Sequence, residues 1–322
     1  MKAITLIEPT ETNPKAQLNL AEVPTPELQD GEVLVKVHAA GVNRADLLQS
    51  QGNYPVPPGA SEFLGLECAG VIEDPGTTGR SKGEKVACLL AGGGYAEYVA
   101  VPEGQLMPIP EGYSMVEAAS IVEVACTVWS NIGMLAGLKK GQTFLIHGGA
   151  GGIGTFAIQM GKALGATVAV TAGSAEKLAT CKELGADILI NYREEDFAEV
   201  LKNKVDVILD IIGAKYLNQN LTALAKDGHM VTIGLQGGRK GELNLGLMLN
   251  KRLNISATAL RSRDLADKAN IVAQTIEHIW PMLADGRITH QIDRTLPLSE
   301  AGQALDLLED SAVTGKIVLE VR

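Results

Sequence analysis

Three glycines, Gly149, Gly151 and Gly154, follow the apolar run 143–147 in the order G-x-G-x-x-G, and a helical pattern opens near Ile153. Glycines at that spacing let a backbone turn sharply off a strand and let a pyrophosphate approach the N–H groups of the next helix. That helix contributes unpaired N–H donors and the positive end of its dipole. The contact set expected of the turn is Gly149, Ala150, Gly151, Gly152, Ile153 and Gly154. A second apolar run at 167–171 completes strand, turn, helix and strand within TFLIHGGAGGIGTFAIQMGKALGATVAVTAGSAEK. A flexible turn between two buried elements would carry the same glycines, but the flanking elements favour a dinucleotide.

The residues after the second run say which dinucleotide. A ribose with free hydroxyls calls for Asp or Glu roughly 20 residues beyond the glycines, and that carboxylate repels an added phosphate. Here Thr171, itself a candidate cofactor contact, is followed by Ala172, Gly173 and Ser174, then by Lys177 one turn later, and Tyr192 closes the next apolar run in INYREED. A hydroxyl, an ammonium and a phenol suit a dianionic phosphate, so NADPH is expected over NADH. The alternatives are a solvated helix lysine at 177 and a surface cap at 192.

The elements that must position these groups follow from pattern. Short β-like runs such as 33–39 and 70–73, separated by Pro and Gly, predict a mostly β domain over residues 1–120. Helical patterns then alternate with apolar strands at 143–147, 167–171, 188–191, 205–210, 229–233 and 254–258, predicting a doubly wound sheet of six parallel strands over 121–260. The segment 261–322 is expected to return to the first domain through helices at 264–283 and 299–309 and a strand at 316–321. Ligands of such sheets lie beyond the carboxyl ends of the strands. That rule adds Ile233, Gly234 and Leu235 after the fifth strand and Leu260, Arg261 and Ser262 after the sixth, as carboxamide or ribose contacts. Thr127, in the helix entering this domain, is a candidate for the pyrophosphate or nicotinamide side. His147 ends the first strand and reads as a packed or capping residue.

Composition narrows the classes. The 322 residues are 46% hydrophobic and 20% charged, with a formal net charge of −10, which opposes nonspecific attraction to nucleic acid or anionic membrane. Cys68, Cys88, Cys126 and Cys181 are widely spaced with no CxxC pair, so neither a disulfide framework nor a thiolate zinc lobe is indicated, and a reducing cytoplasm is expected. The apolar run before Glu8 and Pro9 is too short for a signal peptide, and no unbroken apolar run of membrane-spanning length occurs.

Beyond these motifs, AAGVNRADLLQSQGNYPVPPGAS, FLGLECAGVI, VTAGSAEK, INYREEDF, LRSRD and TGKIVLE together resemble the medium-chain dehydrogenase/reductase superfamily, and within it the zeta-crystallin-like quinone oxidoreductases. The resemblance implies an α/β architecture: a GroES-like β-barrel catalytic domain, a Rossmann domain, and a cleft between them for the nicotinamide. It also implies what is missing. Where zinc-dependent members carry Cys, His and Cys, this chain has Asn43, Leu66 and Glu123, side chains that cannot build a tetrahedral thiolate–imidazole zinc site. No metal is therefore expected. The resemblance makes Asn43 and Tyr54 candidate catalytic groups, Asn43 also touching the cofactor; a helix N-cap and a packed loop tyrosine are their rivals. Lys316 is a candidate contact for the adenosine end, against a solvated strand-edge lysine. Some members of the subgroup carry Ser where this chain has Gly151. The implied activity is NADPH-dependent quinone reduction. Alternatives are reduction of an enal or enone double bond, or a non-catalytic NADPH-binding sensor or RNA-binding protein. A homodimer through the edge of the last parallel strand is expected.

Overall fold

A computed structural model describes residues 1–7 and 17–321, so Glu8 and Pro9 lie outside the described residues. The chain opens with the antiparallel pair β1 (Lys2–Ile7) and β2 (Gln17–Glu22), then β3 (Glu32–Gly41) and helix α1 (Arg44–Ser50). Strands β4 (Glu67–Asp74), β5 (Lys85–Leu89), β6 (Tyr98–Pro102) and β7 (Leu106–Pro108) follow, with helices α2 (Met115–Ala119) and α3 (Val122–Val128). Strict alternation comes next: β8 (Thr143–His147), α4 (Gly152–Ala163), β9 (Thr167–Ala172), α5 (Ala175–Glu183), β10 (Ile188–Asn191), α6 (Phe197–Val200) and β11 (Val205–Asp210). It continues through α7 (Leu217–Ala223), β12 (Leu224–Thr232), α8 (Leu245–Lys251) and β13 (Asn254–Ala257). The remainder holds α9 (Leu265–His278), α10 (Trp280–Ala284), β14 (Ile292–Pro297), α11 (Ala301–Glu309) and β15 (Lys316–Glu320).

Contacts divide the chain into two units. The first is Met1–Cys126, Leu260–Ala284 and His290–Arg322; the second is Thr127–Ala259 with Asp285–Thr289. In the first, a seven-stranded sheet runs β14-β15-β3-β4-β5-β7, with β6 paired to β3. The ten-residue β3 has alternating burial along most of its length, the signature of a strand with one face on the core. Its first half pairs with β6 and its last residues pair with β15, so one strand carries two partners end to end and delivers Gly41 to the start of the polar site. Val33, Val35, Val37, Leu64, Val86 and Ile317 fill the interior beneath it.

In the second unit the six strands pair in parallel in the order β10-β9-β8-β11-β12-β13. The central strand β8 is buried from Phe144 to His147, as a strand covered on both faces by crossover helices must be. The expected doubly wound sheet is thus present, with two local corrections. Strand β13 stops at Ala257, so Leu260, Arg261 and Ser262 lie beyond it and belong to the first unit rather than to the end of the sixth strand. The predicted helix 264–283 is two helices, because Pro281 supplies no N–H and its ring crowds the preceding turn. The helical stretch Met115–Leu135 is long and apolar enough to cross a membrane by length and composition, yet 72% of its most apolar window is buried inside the protein, as in a core helix.

Candidate active site

The polar centre of the first unit begins at a glycine. A Cβ on Gly41 would collide with the Glu67 carboxylate and the Ala119 carbonyl, so only glycine lets the end of β3 approach that closely. The chain then places Asn43 at the start of α1. Its amide Nδ2 donates to Glu67 Oε1 (2.9 Å), while its Oδ1 accepts from Lys316 Nζ (2.6 Å). Lys316 Nζ also pairs with Glu67 Oε1 at 2.6 Å, and Glu67 Oε2 accepts the backbone N–H of Glu123 (2.8 Å). Asn43, Glu67 and Lys316 therefore close a triangle in which Glu67 is wholly buried. Strand β15 brings Lys316 there, which corrects the solvated strand-edge reading: the ammonium is desolvated and held by two acceptors. The amide of Asn43 is likewise spent on this triangle, although the residue does occupy the N-cap position of α1.

Asp46, three residues on, anchors the same region. Its carboxylate accepts the backbone N–H groups of Asn43 (2.8 Å) and Gly65 (2.9 Å) and the hydroxyl of Tyr95 (3.0 Å). Burial raises its pKa to about 6 despite these donors. Asp46 and Tyr95 are not among the residues expected from the sequence; the signal available for Asp46 was a carboxylate at the third position of a short helix beside an asparagine, a pattern that ties a loop to a helix start.

Tyr54 sits half-buried in the proline-rich loop of the same unit, with the Arg261 guanidinium carbon 5.3 Å from its ring centroid. Burial first, and then the negative charge of Glu123, push its phenol pKa upward, so at neutral pH it stays protonated and can donate. Burial also pushes the Cys126 thiol well up, which fits a small inert hydrophobe.

In the second unit the glycine turn is held from below. The Thr171 carbonyl accepts N–H from both Gly148 (3.1 Å) and Gly149 (3.0 Å). The Thr171 hydroxyl is buried and bonds His147 Nδ1 at 3.0 Å, so Thr171 supports the turn from inside and offers no side-chain atom to a ligand, a correction to its expected contact role. His147 Nε2 meets Asn220 Oδ1 at 2.8 Å, which makes Nε2 the protonated nitrogen and Nδ1 the acceptor from Thr171. Burial lowers its pKa to about 4, leaving a neutral packed imidazole.

The glycines divide their work. A Cβ on Gly154 would collide with the carbonyls of Gly148 and Gly149, and one on Gly149 would lie 2.9 Å from Val170 Cβ. Gly151 is different: it is exposed, and the nearest atom to its would-be Cβ is Gly148 O at 3.6 Å. The turn thus keeps open space over Gly151 and the first N–H groups of the twelve-residue α4, a cradle for an anion.

Gly173 and Ser174 follow β9, Lys177 lies in the first turn of α5, and Tyr192 follows β10. Ser174 Oγ caps α5 by accepting the Lys177 N–H (3.3 Å), leaving its hydroxyl proton to donate. Tyr192 lies over Gly173 so closely that a side chain there would strike its phenol oxygen, and Arg193 Nε is 3.4 Å from the same point. Arg193 was missed in the sequence; its signal was a second base beside Tyr192. Ile233 and Gly234 follow β12, their turn fixed by Asp210, whose buried carboxylate accepts N–H from Ile212 (2.8 Å) and Gly213 and the Thr232 hydroxyl (3.1 Å). Leu235 is exposed. Thr127 is buried within α3, its carbonyl accepting from Asn131 Nδ2 (2.8 Å).

Lys316→Met strands a buried carboxylate and should cost about 3–5 kcal/mol in urea denaturation, with Glu67→Gln in the same chain recovering part of the loss; equal losses in single and double variants would refute the ion-pair account. The folded pKa of Asp46, raised from 3.8 to about 6, means that the folded chain holds a proton the unfolded chain releases. This contribution is complete below the unfolded value and is lost as pH rises through the folded one. Relative to Asp46→Asn, the wild type should lose about 3 kcal/mol between roughly pH 4 and 7; parallel pH curves would reject this.

Residues 29–111 match the family described as alcohol dehydrogenase GroES-like domain, and residues 152–276 match the zinc-binding dehydrogenase family. The quinone oxidoreductase of Rattus norvegicus is 29% identical over 311 residues, spanning 93% of this chain and 92% of that protein. A highly reducing polyketide synthase of Emericella nidulans is 32% identical over 327 residues, or 97% of this chain, which spans 12% of the synthase's length. The quinone oxidoreductase from Thermus thermophilus, whose structure was also solved with NADPH, aligns over 100% of both chains with a TM-score of 0.83 and 30% identity. With both family models matched and the whole fold shared, the chain belongs to the medium-chain dehydrogenase/reductase superfamily, among relatives that include quinone oxidoreductases.

Proposed function

We propose that the chain is an NADPH-dependent quinone reductase that works without zinc. The observation that carries this reading is the Lys316 ammonium, which occupies Glu67 and Asn43 in a region where a zinc-dependent relative would gather metal ligands. The donor set does not fit a tetrahedral zinc: an amide, a lysine-paired carboxylate and the aliphatic Leu66 supply neither thiolate nor imidazole. Among the described residues no group of three or more His, Cys, Asp or Glu side chains could hold a metal. An electron-poor acceptor takes a hydride readily without a Lewis acid, and a quinone meets that condition.

The second unit fits NADPH. The open cradle at Gly151, Gly152 and Ile153 suits a pyrophosphate, and Ser174, Lys177, Tyr192 and Arg193 suit the ribose phosphate, with no carboxylate ending β9 to oppose it. Bound there, NADPH would supply the hydride. Asn43, fixed by Glu67 and Lys316, presents a rigid polar edge, and the protonated Tyr54 donates to an acceptor oxygen. Thr127, Ile233, Gly234, Leu235, Leu260 and Ser262 remain proposed contacts for the nicotinamide half. Lys316 is not proposed at the adenosine end, since its ammonium is committed to Glu67. Four free buried thiols fit a reducing cytoplasm.

A homodimer is part of the proposal. Strand β13 is the last of its sheet, with Asn254 and Ala257 exposed, and Leu245 and Leu249 of α8 are also exposed. An unpaired edge beside apolar side chains is what a second copy would cover.

Steady-state oxidation of NADPH and NADH with benzoquinone, naphthoquinone, an enal and a simple aldehyde, with and without chelator, tests the reaction. Chelator-insensitive quinone turnover with NADPH is expected, and Lys177→Ala should reduce the preference for NADPH about tenfold. Turnover of the enal alone would replace the quinone by an activated double bond, and tight NADPH binding without turnover would make the chain a sensor. Sedimentation velocity at micromolar concentration should show a dimer; a monomer would overturn the pairing.

A further inference from the structure

Arg261 is only 4% exposed, yet most of its hydrogen-bonding capacity is unused. Its Nε donates to the Ala91 carbonyl at 2.7 Å, whereas Nη1 and Nη2 are both shielded from solvent without a hydrogen-bond partner. Lys268, near the start of α9, is 5% exposed, and its ammonium makes no hydrogen bond or ion pair among the described residues. The two cations repel each other, and burial followed by that repulsion lowers the pKa of Lys268. The carboxylates that act on them are committed elsewhere. Asp46 accepts from Asn43, Gly65 and Tyr95, and Asp264 caps α9 by accepting the Asp267 N–H (2.8 Å). Asp267 itself is paired with Arg263 at 2.6 Å.

A buried guanidinium with two unpartnered nitrogens is costly, and the more distant charges of Asp46 and Asp264 supply it no hydrogen-bond acceptor, because desolvation is offset fully only by an anion or acceptors in contact. A carboxamide or a ribose, the contacts expected of Arg261 from its place in the chain, is neutral and adds no counter-charge. The phosphates of a dinucleotide have their own donors in the second unit, whereas Arg261 and Lys268 share the first unit with Asn43 and Tyr54. We infer that Arg261 and Lys268 form a binding site for an anionic substituent of the acceptor, a carboxylate or sulfonate carried beside the reducible ring. The planar fork of Arg261 takes two oxygens of such a group, and Lys268 adds a point charge. Since neither free nitrogen of Arg261 reaches solvent, the anion gains access as the Tyr54 ring slides off the guanidinium. This assignment of the ligand rests on the reductase reading; the existence of an anion site does not.

The test uses a naphthoquinone sulfonate, unsubstituted naphthoquinone, and a redox-inert naphthalene sulfonate. A sulfonate alters the reactivity of the ring by itself, so the measured quantity is the ratio of kcat/KM for the two quinones in each protein. Arg261→Gln and Lys268→Gln should each lower that ratio about tenfold or more, with Arg261→Lys partly restoring it. By calorimetry the inert sulfonate should bind the wild type, be displaced by inorganic sulfate, and bind the variants about tenfold more weakly. That measurement stands even if no quinone is turned over, and Lys268→Gln serves if the arginine variant does not fold. An unchanged ratio with equal sulfonate binding would overturn the site. So would a loss confined to NADPH affinity, which would give Arg261 to the cofactor.

Discussion

Lys316 and Glu67 are the pair on which the first unit's site depends, because a charge with no access to water must be answered by another in contact geometry. Neither residue can be removed singly at small cost: taking one away leaves a naked ion in a low-dielectric interior, the most unfavourable outcome of burying charge. The pair also fixes everything attached to it. Asn43 is gripped at both ends of its amide, the Glu123 backbone is tied to the other carboxylate oxygen, and Gly41 is compelled to remain a glycine by the approach of the same side chain. A polar group held by several partners in this way has one orientation, the property that positions reactants in a site.

The second unit solves a different problem. Its central parallel strands are buried on both faces, so the places where their backbone donors can meet a ligand are the strand ends and the helix starts. The turn after β8 is shaped by what lies inside it as much as by its glycines. Thr171 binds two of the turn's N–H groups through its carbonyl, and its hydroxyl locks His147, which in turn packs against Phe197 and Tyr216. Residues that read as ligand contacts from their place in the sequence can therefore be supports for residues that are.

Electrostatics differ between the regions for a physical reason. At the ends of β9 and β10 the basic and hydroxyl groups are partly solvated, so a dianion can be drawn in without a resting penalty. Around Arg261 the guanidinium is already buried, with two of its nitrogens shielded from solvent and without a hydrogen-bond partner. The net charge of −10 conceals both positive surroundings, since a sum over the chain says nothing about a local field.

Much of this was legible in the residues themselves. The period of apolar runs set the number of the parallel strands and their places along the chain, since a buried strand must be apolar throughout, and the glycine spacing located the turn because only glycine fits the close contacts at Gly149 and Gly154. The missing acid after β9 and the cluster of Ser174, Lys177 and Tyr192 were also visible, as they depend on local spacing. What only the tertiary structure decided involves partners far apart in the chain. Lys316 meets Asn43 and Glu67 from the far end of the sequence, Arg261 leaves the sixth strand for the first unit, and Thr171 turns inward. Side-chain chemistry sets what each residue can bind, but burial and pairing choose among those options, and neither exists until the sheet has closed over its core.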